Sequence, residues 1–161
     1  MDIKNAIIGF VLVAIFILPL VYLVNMQKNK DKKLLKSFNA VAKKFNVSIT
    51  KSEIWNSGYC IGIDDSNKKL LYFYKKNGKE ESTLIDLSEV KKCKSSNINR
   101  NVKTKSGNIY VIDRIELVFS YKDSSIADKA LMFYSAVDDM TLSNELQLAE
   151  KWQNSISSVL S

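Results

Sequence analysis

The chain has 161 residues, a formal charge of +7 at neutral pH, two cysteines, one proline, five glycines and no histidine. Without histidine there is no usual general base, no commonest metal ligand and no side chain that titrates near neutrality. Ser-His-Asp triads, Cys-His dyads and histidine-bearing zinc sites are therefore excluded. The length is that of about one domain, and so little proline and glycine excludes a linker-rich or collagen-like chain.

From Ala6 to Val24 the chain runs for 19 residues without a charge, and only Gly9 and Pro19 fall outside the hydrophobic class. As a helix this run is about 28 Å long, close to the roughly 30 Å hydrocarbon core of a bilayer. Fourteen of its residues are Ile, Leu, Val or Phe, which makes insertion favourable by on the order of several kcal/mol. Pro19 would break a soluble helix but is tolerated as a kink in a membrane helix. A cleaved signal peptide would have a shorter apolar region and a small-x-small exit. Here the exit is Tyr22-Leu23-Val24-Asn25-Met26-Gln27. A pilin stalk would need a cleavage glycine before the helix and a glutamate within it, and both are missing.

Lysine asymmetry gives an orientation. Only Lys4 precedes the run, whereas Lys28, Lys30, Lys32, Lys33, Lys36, Lys43 and Lys44 follow it within 20 residues. The positive-inside rule then places the C-terminal bulk in the cytoplasm. The expected organisation is a short outward tail at 1–5, a transmembrane helix at 6–24, a basic juxtamembrane linker and amphipathic helix at 25–46, and a cytoplasmic domain at 47–161. The expected location is the cell's inner (cytoplasmic) membrane, crossed once. Within the anchor, Gly9, Ala14 and Pro19 mark the face able to pack on another protein's helices. They lack the G-x-x-x-G spacing of a self-dimerising helix.

Residues 25–51 hold eight lysines and one aspartate, while residues 52–161 hold 15 basic and 15 acidic side chains. The whole net charge therefore sits beside the expected membrane, and the domain is neutral. Nucleic-acid binding needs a basic stripe on the folded domain, and arginine forks for bidentate recognition. Lysine outnumbers arginine 22 to 2, so no nucleic-acid partner is expected. The seven lysines can instead meet anionic headgroups at about 1 kcal/mol each. Leu34, Leu35, Phe38, Val41, Ala42 and Phe45 form one apolar helical stripe, with Asn46 as a stop signal. The stripe fits either a helix lying on the membrane or one packed on the following domain.

Beyond Asn46 the period becomes alternating. Ile49–Trp55 reads as a strand, Asn56-Ser57-Gly58 as a turn, and Tyr59–Asp64 as a strand with Tyr59, Ile61 and Ile63 on one face. Asp65-Ser66-Asn67 turns the chain into Leu70–Tyr74, and Asn77-Gly78 is a tight-hairpin signal. Thr83–Leu87 follows, and Val90–Ser95 continues or restarts it after a kink at 86–89. Val102 and Thr104 precede a Ser106-Gly107 turn. Ile115, Leu117, Phe119 and Tyr121 alternate with Glu116, Ser120 and Lys122, and Lys129–Val137 is the last strand. With no helix-length spacers the sheet should be antiparallel. Leu142, Leu146, Ala149, Trp152, Ile156 and Val159 predict a closing amphipathic helix that Thr141 or Ser143 can cap.

Seven strands followed by one capping helix resemble the pleckstrin-homology-like (PH-like) fold in its bacterial, membrane-attached versions. Gly62-Ile63-Asp64 through Lys68-Lys69-Leu70-Leu71, Ile85-Asp86-Leu87-Ser88-Glu89-Val90 and Ala149-Glu150-Lys151-Trp152 carry the likeness over roughly 47–160. The resemblance implies an α+β fold, an antiparallel sandwich or barrel serving as a binding scaffold rather than an enzyme. The basic first hairpin of lipid-binding members is replaced here by Asn56-Ser57-Gly58 beside Glu53, so inositol-lipid recognition is not carried over.

Little else could carry chemistry. Asp64-Asp65 and Asp138-Asp139 sit at strand ends, where aspartate bonds nearby backbone, and lack the ligand spacing of a calcium loop. Cys60 and Cys93 have no C-x-x-C spacing and read as buried free thiols. The lysines around Asn77-Gly78 and at 91, 92 and 94 fit either acidic headgroups or protection of sheet edges. No catalytic residue, metal or cofactor is expected. The function expected is that of a non-catalytic accessory or scaffold subunit of a membrane protein complex. A peripheral sensor of anionic lipid headgroups is the alternative.

Overall fold

The computed structural model describes residues 3–76, 78–104, 107–139 and 141–160, with side chains from residue 13 onward other than that of 104. The order is α1 (Ile3–Lys44), β1 (Lys51–Trp55), β2 (Tyr59–Asp64), β3 (Lys69–Lys76), β4 (Lys79–Asp86), β5 (Val90–Thr104), β6 (Gly107–Tyr121), β7 (Lys129–Ser135) and α2 (Glu145–Leu160). The fold is α+β. All pairings are antiparallel, in a four-stranded sheet β1-β2-β3-β4 and a three-stranded sheet β5-β6-β7, neither closed into a barrel.

The tight turns are those the sequence signals. Asn56 and Ser57 both adopt positive φ (47° and 48°) in a three-residue loop that Trp55 and Tyr59 close as a pair, with the Gly58 N–H reaching Trp55 O. Lys76 pairs with Lys79, leaving Asn77-Gly78 as the loop, with Gly78 at φ 75°. Asn77 lies outside the described residues, as does Ser106 of the turn before β6. Lys68 takes φ 48° at the end of the Asp65–Lys68 turn.

The four-stranded sheet is covered on both faces, which explains why every residue of β2 is buried. Tyr59, Ile61 and Ile63 point into the main core with Leu70, Tyr72, Ile85, Ile115, Leu117, Phe119 and Phe133. On the opposite face Cys60, Leu71 and Phe73 meet Leu34, Phe38 and Ala42 of α1. Of the two readings of the helical stripe, packing on the domain is the one adopted. The stripe is narrower than its sequence pattern, because Leu35 and Phe45 remain 36% exposed. Burying Phe38 completely contributes roughly 2–3 kcal/mol by area.

Glycine is required at one position in this layer. A Cβ on Gly62 would stand 2.8 Å from Phe38 Cζ and 3.0 Å from Ile49. The missing side chain lets the helix settle on the strand. Asn46 (φ 54°) then ends α1: its N–H reaches Lys43 O and that of Val47 reaches Ala42 O, the paired bonds of a Schellman stop.

α2 places Leu148, Ala149, Trp152 and Ile156 in the main core and seals the seam between the edge strands β1 and β5. The Ser95 N–H donates to Gln153 Oε1 (2.6 Å), Lys51 Nζ to Ser155 Oγ (3.1 Å), and the Trp152 indole to Glu53 (3.2 Å). Two expectations for this helix are corrected. It begins at Glu145, leaving Leu142 outside it and 37% exposed. Its start is tied by the buried Glu145 carboxylate rather than by a Thr141 or Ser143 hydroxyl. That carboxylate accepts from the Ser143 N–H (2.6 Å) and from Asn56 Nδ2 (2.8 Å).

The longest difference from the sequence pattern is the β5–β6 hairpin. Each strand has 15 residues, and only the part remote from the turn, 90–95 and 115–121, alternates clearly. Residues 96–104 are polar-rich and face the exposed to half-buried run Ile109-Tyr110-Val111-Ile112, and cross-strand pairing more than burial holds the two extended.

Candidate functional site: the end of the domain that carries the apolar helix

α1 is one continuous helix of 42 residues that joins two chemically different halves. Its C-terminal half lies on the sheet. Its N-terminal half carries Val13, Ile15, Phe16, Ile17, Leu18, Leu20, Val21, Tyr22, Leu23 and Val24, each at least half exposed. A helix apolar on every side is at home only where something other than water surrounds it. Among the described residues, no helix is long and apolar enough to cross a membrane. The transmembrane helix expected at 6–24 reaches into residues 6–12, whose side chains lie outside the described residues. Gly9 falls there too. Ala14 is half-buried, and Pro19 is exposed within a helix that continues through it.

The junction between the halves rests on the first hairpin. Ser57 Oγ donates to Asp31 Oδ1 at 2.8 Å, and Gln27 also bonds Ser57. These contacts define one end of the domain, which also holds the end of β3, residues 136–139 after β7 and the start of α2.

All seven predicted surface lysines are exposed, and among the described residues none of them forms an ion pair. They do not form one cluster. Lys30, Lys33 and Lys36 line an open cleft of about 460 Å³ with Leu34, Ser37, Ser57 and Lys75. Lys32, Lys36 and Lys43 border a shallow trough of about 450 Å³ with Leu35, Asn39 and Ala40. Lys28 and Lys44 line neither. Lys75 is the member that helix spacing could not supply, since it reaches the cleft from the end of β3. It is also paired with Glu80 at 2.6 Å.

Behind this end lies a buried polar node. Asp139 has a 2%-exposed side chain and accepts from Lys76 Nζ (2.5 Å), Tyr59 Oη (3.0 Å) and the Ser135 N–H (3.1 Å). Burial and the neighbouring Asp139 charge both hold the Tyr59 hydroxyl protonated far above its ordinary range. Tyr72 is likewise held protonated, chiefly by burial, and donates to the Met132 carbonyl at 2.7 Å. A cleft of about 190 Å³ beside them is lined by Tyr59, Tyr72, Tyr74, Lys79, Glu81, Met132 and Asp138. Its two deepest hydroxyls are engaged as donors in structural bonds, and neither is activated as a nucleophile.

The other adjacent carboxylate pair, Asp64-Asp65, ties the turn after β2 to the segment before β1. Asp64 accepts from the Ser48 N–H and from both Asn67 donors, and Asp65 accepts from the Thr50 hydroxyl. Cys60 and Cys93 are free and buried in different layers, one under α1 and one in the main core. Among the described residues no group of three or more Cys, Asp or Glu side chains could hold a metal ion. In comparisons with known proteins, no family model, no curated protein and no solved structure matches the chain.

Proposed function

We propose that this chain is a non-catalytic, single-pass membrane protein that presents a PH-like interaction domain to the cytoplasm as an accessory or scaffold subunit of a membrane complex. The observation that carries the reading is the bare apolar half of α1. From Val13 to Val24 it has no domain surface beneath it, and it continues without a break into the helix that packs on the sheet. A bilayer suits such a surface. The lysines that follow it support the orientation, and the order of seven antiparallel strands and one helix supports the PH-like assignment. Tethering raises the domain's effective concentration toward other membrane proteins.

The test is mild-detergent purification of the tagged protein from native membranes, followed by mass spectrometry. A stoichiometric membrane protein that copurifies is the expected result. A chain released by alkaline carbonate without detergent would refute the anchor. A second reading, a sensor of anionic headgroups, is favoured by the lysine-lined cleft at the foot of the helix. It predicts that adding anionic lipid to reconstituted vesicles protects Lys30, Lys33 and Lys75 from amine labelling at low salt.

A further inference from the structure

The β5–β6 hairpin runs past the sheet that supports it. β7 pairs with β6 only from Phe119 to Arg114, and the last bond to this strand is from the Ala136 N–H to Asp113 O. Beyond it, the six pairs from Asn99↔Ile112 to Thr104↔Gly107 form a two-stranded arm. A register irregularity between Ile98 and Asn99 marks its root. An isolated two-stranded ribbon of this kind is marginal in water. Yet this one carries Tyr110 at 79% and Ile109 at 49% exposure.

The register fixes where the arm points. Ser57 lies against Gln27 and Asp31, so the β1–β2 turn marks the end from which the apolar helix departs. Asn56 bonds Glu145 at the start of α2, and Trp55 Nε1 bonds Phe133 O in β7 (2.8 Å). β7 therefore runs toward the anchor end, β6 away from it, and β5 toward it again. The free ends of β5 and β6 thus project on the same side as Val13–Val24. Six pairs extend about 20 Å at 3.4 Å per residue. The mostly polar stretch Asn25–Asp31 rises only about 10 Å as a helix. At any inclination to α1 up to about 60°, the arm would span that gap.

The arm's chemistry suits a headgroup layer. Residues 97–112 contain Arg100, Lys103 and Lys105 and no carboxylate. Arg100 pairs with Asp113 at the root (3.0 Å), and Lys105 lies outside the described residues, so Lys103 is the described cation of the outer arm. Asparagines and an exposed tyrosine accompany them, the composition that sits at the boundary of water and hydrocarbon. We infer that the outer part of the β5–β6 arm, around Lys103, Ile109 and Tyr110, is a second membrane contact, resting in the anionic headgroup layer of the bilayer that α1 crosses. The inference rests on the anchor reading. With one helix and one hairpin touching the surface, the domain would hold a fixed tilt rather than swivel on its tether.

The buried native cysteines leave an introduced thiol as the one readily labelled. Full-length Tyr110→Cys and Ile126→Cys, the latter in the β6–β7 loop at the opposite end, would each carry an environment-sensitive fluorophore. They would be reconstituted in vesicles of phosphatidylcholine with or without 30% phosphatidylglycerol (~30 mol%, enough to recruit clustered cations). The expected result is a blue-shifted probe at 110 that headgroup spin labels quench severalfold more than at 126. Anionic lipid should strengthen the quenching, and Lys103→Glu should weaken it. A probe at 110 as wet and unquenched as at 126 would overturn the arm contact. So would a blue-shifted but unquenched one, which would mean that protein covers the tip. Flotation separates the two readings: a chain that fails to float with the vesicles overturns the anchor, and a floating chain with a wet tip overturns the arm alone.

Discussion

Cys60 and Cys93 show how completely a sheet can separate two side chains. Cys60 faces α1 and Cys93 faces the main core, and burial pushes both thiols up to about 12. At pH 8 about one thiol in ten thousand would be ionised. Native protein should therefore leave both unreactive toward a thiol-disulfide reagent and release two equivalents on denaturation. Rapid titration of either in the native state would contradict the placement. Asp64 makes the complementary prediction for acid. Hydrogen bonds from the Asn67 side chain, then its N–H, and that of Ser48 hold the carboxyl below its ordinary value, against the opposing effect of burial. Its contribution is complete above the unfolded value near about 3.9 and is lost as pH falls through the lower folded value. Asp64→Asn should be less stable at neutral pH and lose less stability on acidification below about pH 4, as read by thermal melts across pH 2–6.

At the scale of elements, α1 owes its position to a glycine. Ala at Gly62 would bring a methyl 2.8 Å from Phe38 Cζ, an overpacking that typically costs about 1–3 kcal/mol. Gly62→Ala should lower the melting temperature and raise protease cleavage near Asn46. Pairing it with Phe38→Leu should recover part of the loss, and two independent, additive losses would deny the contact. The strands themselves were legible because each buries one face against the core. Tyr59, Ile61 and Ile63 alternate in sequence as they do in space, and Ile115, Leu117 and Phe119 likewise. Asn56-Ser57-Gly58 and Asn77-Gly78 were legible because positive φ favours few residue types. The arm from 96 to 114 was not legible. Its β5 half is polar, and the apolar run Ile109–Ile112 is continuous rather than alternating, so no alternation announces the hairpin, and apart from Ile112 at its root the backbone ladder keeps it extended. The start of α2 was missed for a related reason. The Glu145 carboxylate that ties it bonds Asn56, which is 89 residues away.

Across the whole molecule the two sheets are held by side chains that cross the core. The Trp55 indole donates to the Phe133 carbonyl at 2.8 Å and stacks on that ring at 4.6 Å, and the Tyr72 hydroxyl donates to Met132 O. Trp55→Phe would leave a buried carbonyl without its donor and remove ring area as well. It should cost roughly 2–4 kcal/mol in chemical denaturation, whereas truncating the exposed Val137 should cost almost nothing.

Apolar runs, the change from helical to alternating period, turn residues and the segregation of charge depend on neighbours within a few positions. From these the sequence by itself determined seven antiparallel strands, a closing helix, a neutral domain and a basic segment after an apolar helix. Which surfaces meet depends on contacts between residues tens of positions apart, and only the tertiary structure decided those. It turned the lysine-rich helix onto the sheet through Phe38 and Gly62 and brought Lys75 to Lys30 and Lys33. It also put the cysteines on opposite faces and aimed the β5–β6 arm toward the end from which the apolar helix leaves. The physical reason is that local periodicity records whether a side chain is buried. It does not record against what.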